Sequence, residues 1–213
     1  MTTFKPPTEW TPPDVFPTEL LVNAKEVAID TETRDPNLKE KGPGYIRGDG
    51  EIVGISFACD GFEGYFPFAH ESGFNFPKNK VISFAKEVCA SNSDKIFHNA
   101  SYDMGWLGSE GIKVNGRIID TMVVAPLIDE NQYWYTLNAL GREYVNEGKT
   151  EAELNAAAEE WGLDPKAEMW RLPSAYVGTY ATQDAALTLK LWNHFKTLIE
   201  EQNLWNIFDL EME

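Results

Sequence analysis

Asp30 and Glu32 stand two residues apart in the run Val27-Ala28-Ile29-Asp30-Thr31-Glu32-Thr33, and this stretch constrains the fold more than any other. The small and β-branched apolar residues at 27–29 predict the last half of a buried strand. Strand side chains alternate between faces, so both carboxylates leave the strand's end on the same side. Two acids with no base between them repel one another and lose hydration. Either the strand ends in a solvated acidic turn or a cation sits between the pair, and the spacing alone leaves both open.

A chain of 213 residues, 43% of them hydrophobic and including seven Trp and twelve Phe, suffices for one well-buried α/β domain and is short for two. No apolar run approaches the roughly 18 to 20 residues that cross a bilayer, and Met1-Thr2-Thr3-Phe4-Lys5-Pro6 lacks the apolar stretch of a signal peptide. The expectation is a cytoplasmic protein with no membrane partner. Cys59 and Cys89 make neither a disulfide framework nor a Cys-x-x-Cys pair, so they read as core thiols. With 18 Lys plus Arg against 34 Asp plus Glu, the net charge of −16 has the wrong sign for a free nucleic-acid binder. Bound divalent cations can reverse that sign locally.

Residues 5–17 hold five of the twelve prolines and predict an extended arm. The glycine-rich polar stretch from Arg34 to Gly50 reads as a long loop beside the acid pair, in reach of a substrate. Ile52–Ala58 and Gly64–Phe68 predict two strands of an antiparallel meander, and Val81, Phe84, Ala85 and Val88 predict a helix over 78–90. A strand at Lys95–His98 leads into a helix ending near Gly111. Another at Arg117–Ile119 leads into a helix through Ile128. Helices follow over 136–145, from a Thr150-Glu151-Ala152-Glu153 capping box to Trp161, and from a Ser174 cap to about Gln202. Gly148-Lys149-Thr150 lacks the upstream glycine and the preceding strand of a phosphate loop. This order predicts a single α/β domain, a mixed sheet with helices on both faces, whose functional groups collect at strand ends.

Asp103 falls one turn into the helix after the fourth strand, where acids are also favoured by the helix dipole. On the last helix Tyr180, Asp184, Leu187 and Leu191 share one stripe. A carboxylate on such a core-facing stripe is costly unless paired or metal-bound. Tyr180, one turn earlier, can bring its hydroxyl beside whatever Asp184 holds.

Asp30-x-Glu32, Asn99-x-x-x-Asp103 and Tyr180-x-x-x-Asp184, in that order, resemble the three exonuclease motifs of the DEDD 3′–5′ exonucleases of the tyrosine branch. Phe66-Pro67-Phe68-Ala69-His70, His98-Asn99, Asp120-Thr121-Met122 and Tyr135–Leu140 look like the proofreading domain of family A DNA polymerases, particularly phage ones. The segment Leu204–Glu213 is similar to the crossing from that domain into the polymerase. The resemblance implies a ribonuclease H-like fold, with an arm over 1–20, the exonuclease domain over 21–202 and the junction-like tail over 203–213. It also implies two divalent ions, Mg²⁺ or Mn²⁺, held by Asp30, Glu32, Asp103 and Asp184. Asp30 would bridge both ions, Tyr180 would orient water, and Thr31 would lie by the terminal nucleotide. Asn99 either contacts the substrate backbone or caps its helix. The implied partners are a single-stranded DNA 3′ end and a polymerase domain or subunit, fused or separate, in a bacterial or phage-infected cytoplasm. An RNase D-like exoribonuclease shares the same acids, although the polymerase-like tail argues against it. A noncatalytic nucleic-acid or clamp-binding module would require one of the four acids to be replaced, and none is.

Overall fold

The strand that opens the acid motif does not stop at Asp30. In the computed structural model, which describes residues 8–212, β1 runs from Glu26 to Arg34. Both acids therefore stand within a strand rather than at its end, because β2 (Glu51–Cys59) pairs antiparallel with β1 as far as Arg34. The five-stranded sheet has the order β3-β2-β1-β4-β5, with β3 at Phe62–Pro67, β4 at Asp94–Phe97 and β5 at Ile118–Asp120. The β1–β2 and β2–β3 pairs are antiparallel, while β1–β4 and β4–β5 are parallel. Parallel neighbours need crossovers, supplied by α3 (Lys78–Ala90) and α4 (Ala100–Ser109). This is the expected mixed sheet.

The two faces of β1 explain the layers. Val27 and Ile29 point into a core with Phe57, Phe66, Phe84, Val88 and Trp106. Ala28 points the other way, where small residues at 28 and 58 admit Leu187, Leu191 and Phe195 of the long helix α8 (Ser174–Glu201). By the same alternation, Asp30 and Glu32 face α8 and Thr31 faces α4. The remaining helices are α1 (Thr18–Asn23), α2 (Leu38–Lys41), α5 (Thr121–Ile128), α6 (Leu137–Tyr144), α7 (Ala152–Trp161) and α9 (Trp205–Glu211).

Several local expectations are revised. The segment after Arg34 contains α2 and a 3-10 turn at Gly44–Ile46. Arg47 holds it together by donating to the carbonyls of Lys41, Gly42 and Pro43 and to the Asp49 carboxylate. Thr150 does not cap α7: Glu151 occupies the cap position without a side-chain bond, and Glu153 instead accepts from the hydroxyls of Thr8 and Thr179. Ser174 is the first residue of α8, after Pro173, and its hydroxyl donates to the Phe74 carbonyl.

Pro6 and Pro7 of the arm lie outside the described residues. From Thr8 onward the arm is packed: Phe16 stacks on Phe66 with centroids 5.2 Å apart, and Trp10 lies on Gly178 of α8. A Cβ at Gly178 would come within 2.0 Å of the Trp10 ring, so this close approach requires glycine. At the other end Phe208 of α9 is buried against Trp192, with Arg117 over its ring at 4.4 Å.

Candidate active site

Asp30 and Glu32 reach α8 from β1, and the α8 stripe answers with Tyr180 and Asp184. One ligand oxygen each from Asp30, Glu32 and Asp184 lies within 4.8 Å of the others. Glu32 retains 7% of its exposure, and Asp103 and Asp184 only 4%. Opposite Glu32 in the sheet is Gly54. A Cβ there would come within 2.2 Å of the Tyr65 hydroxyl. Tyr65 bonds His70 Nε2 at 2.7 Å, and the His70 ring bonds the Leu172 carbonyl, so a fixed polar pair backs the acid. Burial, reinforced by Asp184, Glu32 and Asp103, drives the Asp30 carboxyl well above the usual carboxylate range. Burial and the Asp184 charge push Glu32 up to about 8.

Asp103 arrives from the other side of the strand. Its Oδ1 accepts the Thr31 amide at 2.9 Å and the Thr31 hydroxyl at 2.6 Å. Burial raises it to about 7 although these two bonds work to lower it. Thr31 lines the cleft with the acids, and its amide and hydroxyl both donate to Asp103. Asn99 does not cap α4 with its side chain. It adopts the left-handed conformation at φ 73°, and its amide and that of Ala100 donate to Asp120, which also caps α5 at Met122. Asp120 thus fixes where α4, and with it Asp103, begins.

Lys149 is a site residue that sequence reasoning missed. The expectation that Gly148-Lys149-Thr150 is no phosphate loop holds, since α6 and not a strand precedes it. Yet the Lys149 ammonium lies 2.6 Å from Asp184 Oδ2 and 3.2 Å from the Tyr180 hydroxyl. No local pattern signals this. Burial works against its charge, but Asp184, Asp30 and Glu32 outweigh it and hold the pKa above its usual value. Burial first, then Asp184, Glu32 and Asp30, keeps Tyr180 a neutral phenol far above its normal range. Tyr102 and Trp170, also unforeseen, line the cleft with the acids.

The cleft has a volume of about 710 Å³, the size of a small-ligand site. A larger groove of about 1280 Å³ lies between the arm, the β2–β3 turn and α8, but it contains none of the acids above. The donor set suits a hard cation: every ligand atom is oxygen, and Asp30 Oδ2 and Asp184 Oδ1 are buried with no hydrogen-bond partner. Such orphaned carboxylate oxygens are costly, and a divalent ion would satisfy both.

The sequence profile of the family A DNA polymerase 3′–5′ exonuclease matches residues 18–200, and the chain belongs to that family, which implies divalent metal ions. It is 38% identical over 208 residues to a DNA-directed DNA polymerase of Pseudomonas phage M6, which covers 95% of this chain and 31% of the polymerase. The chain spans less than a third of the length of the curated relatives it matches. Among solved structures, Brucella melitensis NrnC with bound Mg²⁺ superimposes with a TM-score of 0.63 at 17% identity, covering 92% of this chain and 84% of that one. RNase D of Trypanosoma brucei gives 0.60 at 17%, covering 84% and 59%. These likenesses establish the fold, a ribonuclease H-like α/β sheet. No helix among the described residues is long and apolar enough to cross a membrane.

Proposed function

We propose that this chain hydrolyses the 3′-terminal phosphodiester bond of DNA, releasing nucleoside monophosphates, as the proofreading domain or subunit of a DNA polymerase, fused or separate. The observation that carries this is the meeting of three carboxylates within 4.8 Å, two of their oxygens buried and unpartnered, on the floor of a cleft. Asp30, Glu32 and Asp184 would hold one Mg²⁺ or Mn²⁺, and Asp30 with Asp103 a second. Such ions, when bound, lower the pKa of water and neutralise charge on the phosphoryl oxygens.

The protein's own part is placement. Tyr180, held neutral, has a hydroxyl fit to orient a water molecule rather than to take its proton. Thr31 holds Asp103 in register with Asp30 through two bonds to one oxygen. Asn99, at the rim of the cleft, has its side-chain amide turned to a single exposed contact with Ser101 and is suited to meet the sugar-phosphate backbone. In hydrolysis the water oxygen stays on phosphorus, the bond from phosphorus to the 3′ oxygen breaks, and that oxygen takes up a proton.

The fold shared with an RNase D supports a second reading, in which the strand degraded is RNA. A 5′-labelled oligonucleotide of one sequence, supplied as DNA and as RNA, tests both. The expected result is a ladder shortening by single nucleotides from the 3′ end of DNA, lost in EDTA. A ladder from RNA alone would replace the DNA reading with the second, and intact substrate of both kinds with a folded protein would overturn nuclease activity.

A further inference from the structure

The Lys149 side chain is 14% exposed, and its ammonium lies against Asp184 Oδ2 at 2.6 Å, against the Tyr180 hydroxyl at 3.2 Å, and over the Tyr180 ring at 4.8 Å. Its backbone is clamped on both sides. The Lys149 amide donates to Asn138 of α6 at 2.9 Å, and Gln183, next to Asp184 on α8, takes the Thr150 amide and donates to the Gly148 carbonyl. A lysine that merely balanced surface charge would not have its own backbone and that of both neighbours bonded in place with its tip among buried acids. Removing one partner of such a pair leaves a charge uncompensated.

We propose that Lys149 is the positioning residue of this site, an internal cation that orders Asp184 and Tyr180 and shares the Asp184 carboxylate with the metal. The proposal rests on the reading of the acid cluster as a metal site. By bonding Oδ2, Lys149 leaves Oδ1 of Asp184 without a partner and turned to whatever cation enters. By donating to the Tyr180 oxygen, it occupies an acceptor position and directs the phenol hydrogen elsewhere. A fixed positive charge also repels an incoming divalent ion, so Lys149 holds the geometry and weakens metal affinity at the same time.

These two effects separate in experiment. Mn²⁺ binding to the full chain is followed by electron paramagnetic resonance, beside single-turnover hydrolysis at saturating Mn²⁺, for the wild type, Lys149→Met and Lys149→Arg. Lys149→Met is expected to bind Mn²⁺ about tenfold more tightly yet to turn over about tenfold more slowly or worse, and Lys149→Arg is expected to recover part of the rate. A lysine that only supported the fold would lower both quantities. Lys149→Gln, which keeps a donor without the charge, gives the same comparison if methionine unsettles folding. Unchanged or weaker Mn²⁺ binding in the neutral variants overturns the role of Lys149 alone. Failure of the wild type to bind Mn²⁺ overturns the metal site itself, and this proposal with it.

Discussion

Thr31 gives both of its donors to one oxygen of Asp103, the amide at 2.9 Å and the hydroxyl at 2.6 Å. The two residues are 72 positions apart and come from β1 and α4. This pair therefore decides where Asp103 stands relative to Asp30 and Glu32 on the opposite side of the same strand. A threonine between two acids, which looks like spacing in the sequence, is the support of the fourth carboxylate.

Thr31→Val keeps the shape and the amide bond but removes the hydroxyl. Groups that orient metal ligands are commonly worth about 10- to 100-fold in affinity or activity, so we expect about a tenfold rise in the Mg²⁺ concentration giving half-maximal rate. A metal titration of the rate that superimposes on that of the wild type would show that the hydroxyl is dispensable.

Asp30→Ala with Glu32→Ala is expected to abolish 3′-end degradation while the fold survives, because the change relieves repulsion among carboxylates that already crowd one another. Circular dichroism and the oligonucleotide ladder read the two halves separately. Wild-type rates in the double variant, or full activity in EDTA, would sink the assignment of these acids.

The metal-free protein should lose stability as pH rises. Glu32, raised from 4.5 to about 8, and Asp103, raised from 3.8 to about 7, bind more protons folded than unfolded. Their contribution is complete below about pH 4 and disappears as pH climbs through 7 to 8. His70 and His98, lowered from 6.5 to about 4 by burial, act in the opposite sense, but only below about 6.5, where the unfolded chain protonates them. In EDTA, Tm should therefore fall between pH 6.5 and 8, and the Asp30→Ala, Glu32→Ala variant should flatten that slope. A wild-type Tm that climbs across this interval contradicts the electrostatic account.

Tyr180→Phe should cost roughly tens of fold in single-turnover rate and Asp184→Ala orders of magnitude more, since a hydroxyl that positions water contributes less than a carboxylate that holds a metal. Equal losses from the two substitutions would overturn this division of labour.

The isolated chain should bind single-stranded DNA weakly and act distributively. Its net charge of −16 repels the backbone, and single-strand binding normally uses a basic groove with stacked aromatics. A polymerase partner would supply affinity by raising the local concentration of 3′ ends. Measured in Ca²⁺, the affinity should show a shallow salt dependence, because few phosphates are contacted. Tight binding with a steep slope would mean that the domain carries its own DNA surface.

Periodicity made much of this legible in advance. Alternation along β1 placed Asp30 and Glu32 on one face, and the helical stripe on α8 brought Tyr180 and Asp184 to the same side as Leu187 and Leu191, because burial selects faces and faces recur every two or 3.6 residues. The helix at 78–90 followed from the same rule. What lay in loops and caps did not. Thr150 and Ser174 carry capping signals, yet Gln183 and the Phe74 carbonyl claim their groups through contacts distant in the chain, and the segment after Arg34 is ordered by Arg47 gathering carbonyls that no local pattern assigns. Lys149 is the sharpest case. Its place depends on Asn138 and Gln183, from two different helices, and its charge gains importance only where packing has removed water from around Asp184. Composition and spacing specify which residues seek the interior. Which charge meets which once they arrive is set by the assembled tertiary structure, because desolvation, and with it the strength of every such pairing, exists only there.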